Sequence, residues 1–236
     1  MLKRAGLVRR TKGLDPERHS LLRAGNLLMV QERDRYIAGV LRTHGIESLQ
    51  GVAAFEAGCS GGYNLRQLVQ LGARPENLAG MDIDGAAVAH CRERAPQIRV
   101  HEGSAEAVPE ADAAFDLALA FTLFSSVRDE DAAAGIASEL FRVTRPGGLI
   151  IVYDMRRRSP RNPNVHPIAL EDLRRWFPKC PARARSITLA PPLARALGKY
   201  APWLYAPLAA VPPLRTHAVW VLRRPALPPT FGFVTS

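Results

Sequence analysis

The sequence predicts an α/β fold: a doubly wound, seven-stranded, mostly parallel sheet with helices on both faces. Three observations carry that reading. Apolar runs of strand length alternate with stretches whose apolar residues recur at helical spacing. The leading strand, GVAAF, runs into a glycine-rich turn, EAGCSGG, which opens a helix. An acid, Asp82, stands twenty positions after Gly62, at the end of the second strand. Such alternation requires crossover connections, which are right-handed between parallel strands.

The elements follow in order. An N-terminal helix is expected over 19–43, where Leu21, Leu22, Leu27, Leu28, Val30, Tyr36, Ile37, Val40 and Leu41 recur among charges and Gly45 ends the run. The first strand spans 51–58, and the next helix, 63–72, closes on Gly72. LAGMDID (78–84) is the second strand, and the helix 85–95 stops at Pro96. IRVHEG (98–103) and FDLALAF (115–121) are the third and fourth strands. A helix over 130–144 closes at RPGG, and LIIVYD (149–154) is the most strand-like segment of all. A short helix (169–178), a sixth strand (184–190) and a seventh (216–222) complete the order. Residues 190–215 break the rhythm. They are too rich in proline for one long helix and too apolar for a solvated linker, so they read as a Pro-rich flap of short helical turns before the last strand. The domain organisation expected is a basic N-terminal arm over 1–18, a single domain over 19–225 and a tail over 226–236.

Composition narrows the function classes. The 236 residues carry no apolar run long enough to span a bilayer, and the start reads as a basic arm rather than a secretory signal. Cys59, Cys91 and Cys180 lack metal-site spacing and form no even set, which points to a reducing, cytoplasmic setting and no metal. Charge is uneven. Residues 1–50 carry 10 Lys/Arg against 5 Asp/Glu, residues 51–143 carry 7 against 14, and residues 144–236 carry 15 against 3. The basic last third favours an anionic substrate, an anionic lipid surface or nucleic acid; codon bias toward arginine would give the same excess.

In doubly wound sheets, ligands bind beyond the carboxyl ends of the strands, at the first strand-to-helix turn. Glycines there permit close approach, and free N–H groups at the helix start favour an anion. A dinucleotide needs G-x-G-x-x-G, but from Gly58 the chain reads G-C-S-G-G-Y, so that reading fails. The order from Glu56 to Gly62 is E-x-G-x-S-x-G instead. It resembles the D/E-x-G-x-G-x-G loop of class I S-adenosylmethionine-dependent methyltransferases. GMDID, HEGSAEAVP, FDLALAF and LFRVTRPGGLIIVYD follow in that family's order, so the resemblance covers roughly residues 48–155. It implies a Rossmann-like domain with S-adenosyl-L-methionine as cofactor. Carried over by position, it places Gly58, Cys59, Ser60 and Gly62 under the amino acid end of that cofactor and Glu56 beside it. Asp82 would hold the ribose hydroxyls, with Ile83 against the adenine. Ser104 and Ala105 would meet the adenine edge, and Phe121 would complete the pocket. Two departures stand out. Ser60 replaces the middle glycine, so its backbone needs a negative φ or carries strain. Ser104 stands where the family often has aspartate, a neutral acceptor for a charged one.

Methyl transfer is an in-line displacement, and a base is needed only when the nucleophile starts protonated. Asp154 ends the fifth strand and is followed by MRRRSPRNPNVHP, with four arginines, Asn162, Asn164 and His166. Asp154 and His166 are the candidate proton acceptors, with arginines to clamp an anionic group. Asp154 reads equally as a structural ion pair or cap. His101 and His217 read as structural, His19, His44 and His90 as helix-edge residues, and Asn64 as a cofactor-orienting or plain helix-start residue. Tyr200, Trp203 and Tyr205 fit stacking on a ring, contact with lipid or a small core of the flap. Residues 153–217 resemble a bacterial subgroup associated with polysaccharide and secondary-metabolite gene neighbourhoods, which implies O-methylation of a small acceptor, anionic or neutral, such as a sugar. Two alternatives stay open: a methyltransferase acting on RNA or another macromolecule, and a non-catalytic cofactor-binding subunit. The sequence carries no added RNA-binding module, which weighs against nucleic acid. It leaves the oligomeric state unspecified.

Overall fold

The computed structural model describes residues 20–158 and 165–226. The expected arm over 1–18, the tail beyond Ala226, and Arg161, Asn162 and Asn164 of the arginine-rich loop lie outside the described residues. The elements run α1 (Ala24–Thr43), β1 (Ala54–Ala57), α2 (Tyr63–Gln70), β2 (Leu78–Asp82), α3 (Gly85–Arg94), β3 (Arg99–Glu102), β4 (Phe115–Phe121), α4 (Glu130–Val143), β5 (Thr144–Met155), α5 (Leu170–Trp176), β6 (Ala182–Leu189), α6 (Pro191–Tyr200), α7 (Tyr205–Ala209) and β7 (Arg215–Arg223).

The seven strands form one sheet in the order β3-β2-β1-β4-β5-β7-β6. All neighbours are parallel except β7, which is antiparallel to both β5 and β6. The winding reverses between β1 and β4, where Ala57 stands opposite Ala120, so the crevice for a ligand opens there. β1 and β4 are buried at every position, as strands covered on both faces must be. One apolar layer lies under α4 and α5, with Phe55 and Phe115 ring to ring at 5.5 Å. The other lies under α1, α2 and α3.

Capping accounts for the helix boundaries near the crevice. Asp84 accepts hydrogen bonds from the N–H groups of Ala86 and Ala87, and Asp129 from those of Asp131 and Ala132. α1 starts five residues later than its apolar pattern suggests. β1 is shorter than expected because the Ala53 N–H donates to the Asp116 carboxylate (2.7 Å) in place of a ladder partner. β5 is longer, and takes in the RPGG expected to lie before it. Gly147, at φ 81°, lets the strand bulge while its N–H donates to Arg224 O. The Pro-rich segment does fold as short helical pieces, with Pro191 and Pro192 in the first turn of α6, where no helical N–H partner is lost.

Candidate active site

The turn after β1 is tied to β2. The N–H groups of Gly58 and Cys59 both donate to Met81 O, at 2.8 and 3.0 Å, and that of Gly62 donates to Cys59 O. The Ser60 N–H donates to Asp82 Oδ2 at 2.7 Å. These four amides, expected to face a ligand, are thus spent on the fold itself. The glycines answer partly to the protein as well. A Cβ on Gly62 would lie 2.1 Å from the Cys91 sulfur on α3, and one on Gly58 would lie 3.0 Å from Leu123 Cδ1. Gly58 and Gly62 hold φ at 71° and 74°, and Ser60 takes φ 47° without glycine's freedom. Of the two options open to Ser60, the strained one is realised.

Glu56, next to last in β1, is fully buried. Its Oε1 accepts from Asn64 Nδ2 at 2.5 Å, from the first turn of α2. Among the described residues, Glu56 Oε2 and Asn64 Oδ1 are the buried side-chain polar atoms with no partner. Burial raises the Glu56 carboxyl to about 7; the Asn64 bond and the Arg33 charge pull it down, and Asp82 pushes it up. Two orphaned acceptors side by side are costly in a folded interior and complement a cationic donor. They fit the ammonium of an S-adenosylmethionine amino acid end. Cys59 is also buried, which pushes its thiol above the ordinary range and makes it a packing residue.

Asp82 sits half-buried at the tip of β2. Each of its oxygens already accepts one backbone N–H, from Ser60 and from Asp84 at 2.9 Å. Each retains a further lone pair, so the carboxylate is both anchored and able to accept a pair of hydroxyls. Ile83 beside it is 44% exposed, which leaves part of its apolar surface open. Ser104 donates its hydroxyl to Glu106 Oε2 at 2.8 Å, and Ala105 packs on the α4 side of the core. Glu106, two residues on, therefore sets a carboxylate where Ser104 itself has none.

Phe121 closes β4, edge to face with Tyr153 at 5.9 Å. Both rings face a residue that motif reading passed over. Arg33 of α1 is buried, and its guanidinium carbon lies 5.3, 5.6 and 5.9 Å from the rings of Phe121, Tyr153 and Tyr63. Its place in the buried stripe with Ile37, Val40 and Leu41 was the available signal. His217 stacks on Tyr153 at 5.1 Å, and the Tyr153 and Thr188 hydroxyls meet at 3.0 Å. Burial pushes the Tyr153 hydroxyl up to about 12. Thr122 and Thr188, both touching Tyr153, hold φ at 53° and 66°, a rare conformation for β-branched residues that clusters at functional sites.

Asp154 is fully buried, and its carboxylate accepts the N–H of Ser125 at 3.0 Å and that of Met155 at 2.8 Å. The Ser125 carbonyl in turn accepts the His166 N–H at 2.9 Å. The turn at 124–126 thus joins the two sequence-predicted proton acceptors. Asp154 serves it as a buried backbone anchor, and His166 is exposed. Among the described residues, no three His, Cys, Asp or Glu side chains gather where they could hold a metal ion.

Residues 54–148 match a family described as a methyltransferase domain. A relative from Mycolicibacterium smegmatis, named a probable S-adenosylmethionine-dependent methyltransferase, is 33% identical over 120 residues, which is 48% of this chain and 44% of its own length. The chain therefore spans less than half the length of the curated relative it matches. The geranyl diphosphate C-methyltransferase of Streptomyces coelicolor A3(2) shares the fold with a TM-score of 0.60 at 16% identity, over 93% of this chain and 91% of its own. The [4+2]-cyclase SpnF does so with a TM-score of 0.59 at 16% identity, over 81% of each chain. At such identities the likeness concerns the fold alone. Motif order, domain match and a sheet wound 3-2-1-4-5-7-6 agree: residues 54–148 form a methyltransferase domain, similar to those of S-adenosylmethionine-dependent methyltransferases.

Proposed function

We propose that the chain transfers a methyl group from S-adenosylmethionine to a hydroxyl of a small-molecule acceptor, such as a sugar or secondary metabolite. The observation that carries the cofactor half is the pair of buried, unpartnered oxygens on Glu56 and Asn64. When bound, the cofactor supplies a methyl group made electrophilic by its sulfonium. In this reading Glu56 and Asn64 hold its ammonium, Asp82 the ribose hydroxyls and Ile83 one face of the adenine. Ser104 and Glu106 meet the adenine amino group. The turn 58–62 sets the floor, and Phe121 with Tyr153 walls the cavity against water. The His166 imidazole takes the proton from the acceptor hydroxyl; Asp154 anchors the Ser125 turn, whose carbonyl accepts the His166 backbone N–H.

The test is methyl transfer from labelled cofactor across sugar, phenol and amine acceptors, with cofactor affinity measured in parallel. Asp82→Ala should weaken cofactor binding at least tenfold, the scale of one lost charge-assisted contact. His166→Ala should lower turnover and leave cofactor binding unchanged. Wild-type affinity in the Asp82 variant sinks the cofactor assignment. Transfer to amines alone, or full turnover without His166, sinks the acceptor assignment.

A further inference from the structure

We propose that the flap between β6 and β7 docks the protein on an anionic lipid bilayer. The inference stands on the flap itself and holds whatever group the active site transfers. The inner side of the flap is fixed to the body. Tyr205 is buried and donates its hydroxyl to Glu32 Oε2 on α1 at 2.6 Å, and Arg195 Nε donates to Asn26 Oδ1 at 2.9 Å. Glycines let α6 and α1 touch backbone to backbone: a Cβ on Gly198 would lie 2.1 Å from Gly25 N. The outer face is therefore a rigid surface presented to its surroundings.

That face is apolar out of proportion to its exposure. Tyr200 and Trp203 are 71% and 72% exposed, and Leu204 and Val211 are exposed as well. Leu22, three residues before the Gly25 that meets α6, is 98% exposed. From Ala196 to Leu214 the single charge is Lys199, whose ammonium lies 4.9 Å from the Tyr200 ring centroid. Large apolar side chains exposed in this number on one segment mark an interaction site. Its composition selects the occupant. Tyr and Trp settle at the boundary between hydrocarbon and water, and lysine reaches from an apolar stem to charged headgroups.

The surrounding charge decides between a bilayer and a second copy of the chain. From Arg195 to Arg215 the flap carries three Lys/Arg and no Asp or Glu. Exposed Arg23 sits beside Leu22, and half-buried Arg195 and exposed Lys199 lie on α6. Two such faces repel one another, whereas a surface of anionic headgroups attracts each of them. Shallow insertion of the two aromatic rings with the cations above them is the interfacial mode of binding. It would hold the side of the crevice nearest Tyr205 close to the membrane.

The full chain is incubated with vesicles of phosphatidylcholine alone and of phosphatidylcholine with about one-third phosphatidylglycerol, then sedimented. Binding is expected on the anionic vesicles, weakening as salt rises, and falling at least about tenfold in a Tyr200→Ser/Trp203→Ser variant. Both positions are exposed, so the variant should keep the wild-type melting temperature. Trp fluorescence should shift to the blue on binding, and a Trp203→Phe variant should still bind yet lose that shift. No binding to anionic vesicles overturns the proposal, as does undiminished binding by the double variant. A wild-type dimer in sedimentation velocity that the double variant dissolves overturns it too, because the face is then an interface between copies.

Discussion

Glu56 is a carboxyl with two competing environments. Burial favours its neutral form; the ammonium it would hold favours the ionised one. With a folded value of about 7 against 4.5, its contribution to stability is complete below pH 4.5, declines as the pH rises, and is lost above about 7. The loss is on the order of 3 kcal/mol. Thermal melts of the unliganded protein should therefore fall between pH 5 and about 8, and Glu56→Gln should flatten that decline; an unchanged profile would mean that Glu56 does not titrate there. Cofactor affinity should run the other way. It should drop about tenfold for each pH unit below 7, as calorimetry would read, because the ammonium must first displace a proton. Ser60 offers a second check. Its φ of 47° stores roughly 1–2 kcal/mol, and glycine would relieve it while loosening the unfolded chain by about 0.5–1. Ser60→Gly should thus raise stability by about 0.5–1 kcal/mol in denaturant unfolding, with the Asp82 hydrogen bond kept. Glu56 and Asp82 stand out in the sequence, one just before the glycine turn and the other twenty positions after Gly62 at the end of the second strand. Arg33 was not, since only burial separates it from a surface arginine.

At the scale of elements, the turn after β1 shows how one motif serves two masters. Its glycines read as space for a ligand, yet Gly62 is also the seat of Cys91 from α3. Gly62→Ala would force both a Cβ onto that sulfur and a side chain onto φ 74°. Roughly 3 kcal/mol of destabilisation is expected in chemical unfolding. Cys91→Ala in the same chain should recover about half, the steric share. No recovery would assign the whole effect to the backbone. The strand and helix order was legible from periodicity and punctuation. The boundaries that moved are those where a distant group intervenes: the Asp116 carboxylate at the head of β1, and Arg224 beside the bulge in β5.

At the scale of the molecule, the winding reversal between β1 and β4 gathers the tips of three parallel strands into one crevice, and β7 turns the flap back toward it. A ligand seated across β1 and β2 should stabilise the whole domain. S-adenosylhomocysteine at about a hundred times its dissociation constant should contribute about 2.7 kcal/mol, a rise of roughly 5–10 °C in melting temperature. Asp82→Ala, with binding weakened at least tenfold, should cut that rise by about half or more; a variant that keeps it in full would detach the ribose from this residue. Residue order alone dictated the alternation of strands and helices, the acid-bordered turn and the excess of arginine near the end. All are local patterns, set by neighbours within a few positions. Chain packing alone settled which amides the turn keeps for itself, which oxygens it leaves without partners, and which aromatic rings gather around Arg33. Those depend on residues far apart in the chain brought within a few ångströms, a distance that no periodicity encodes.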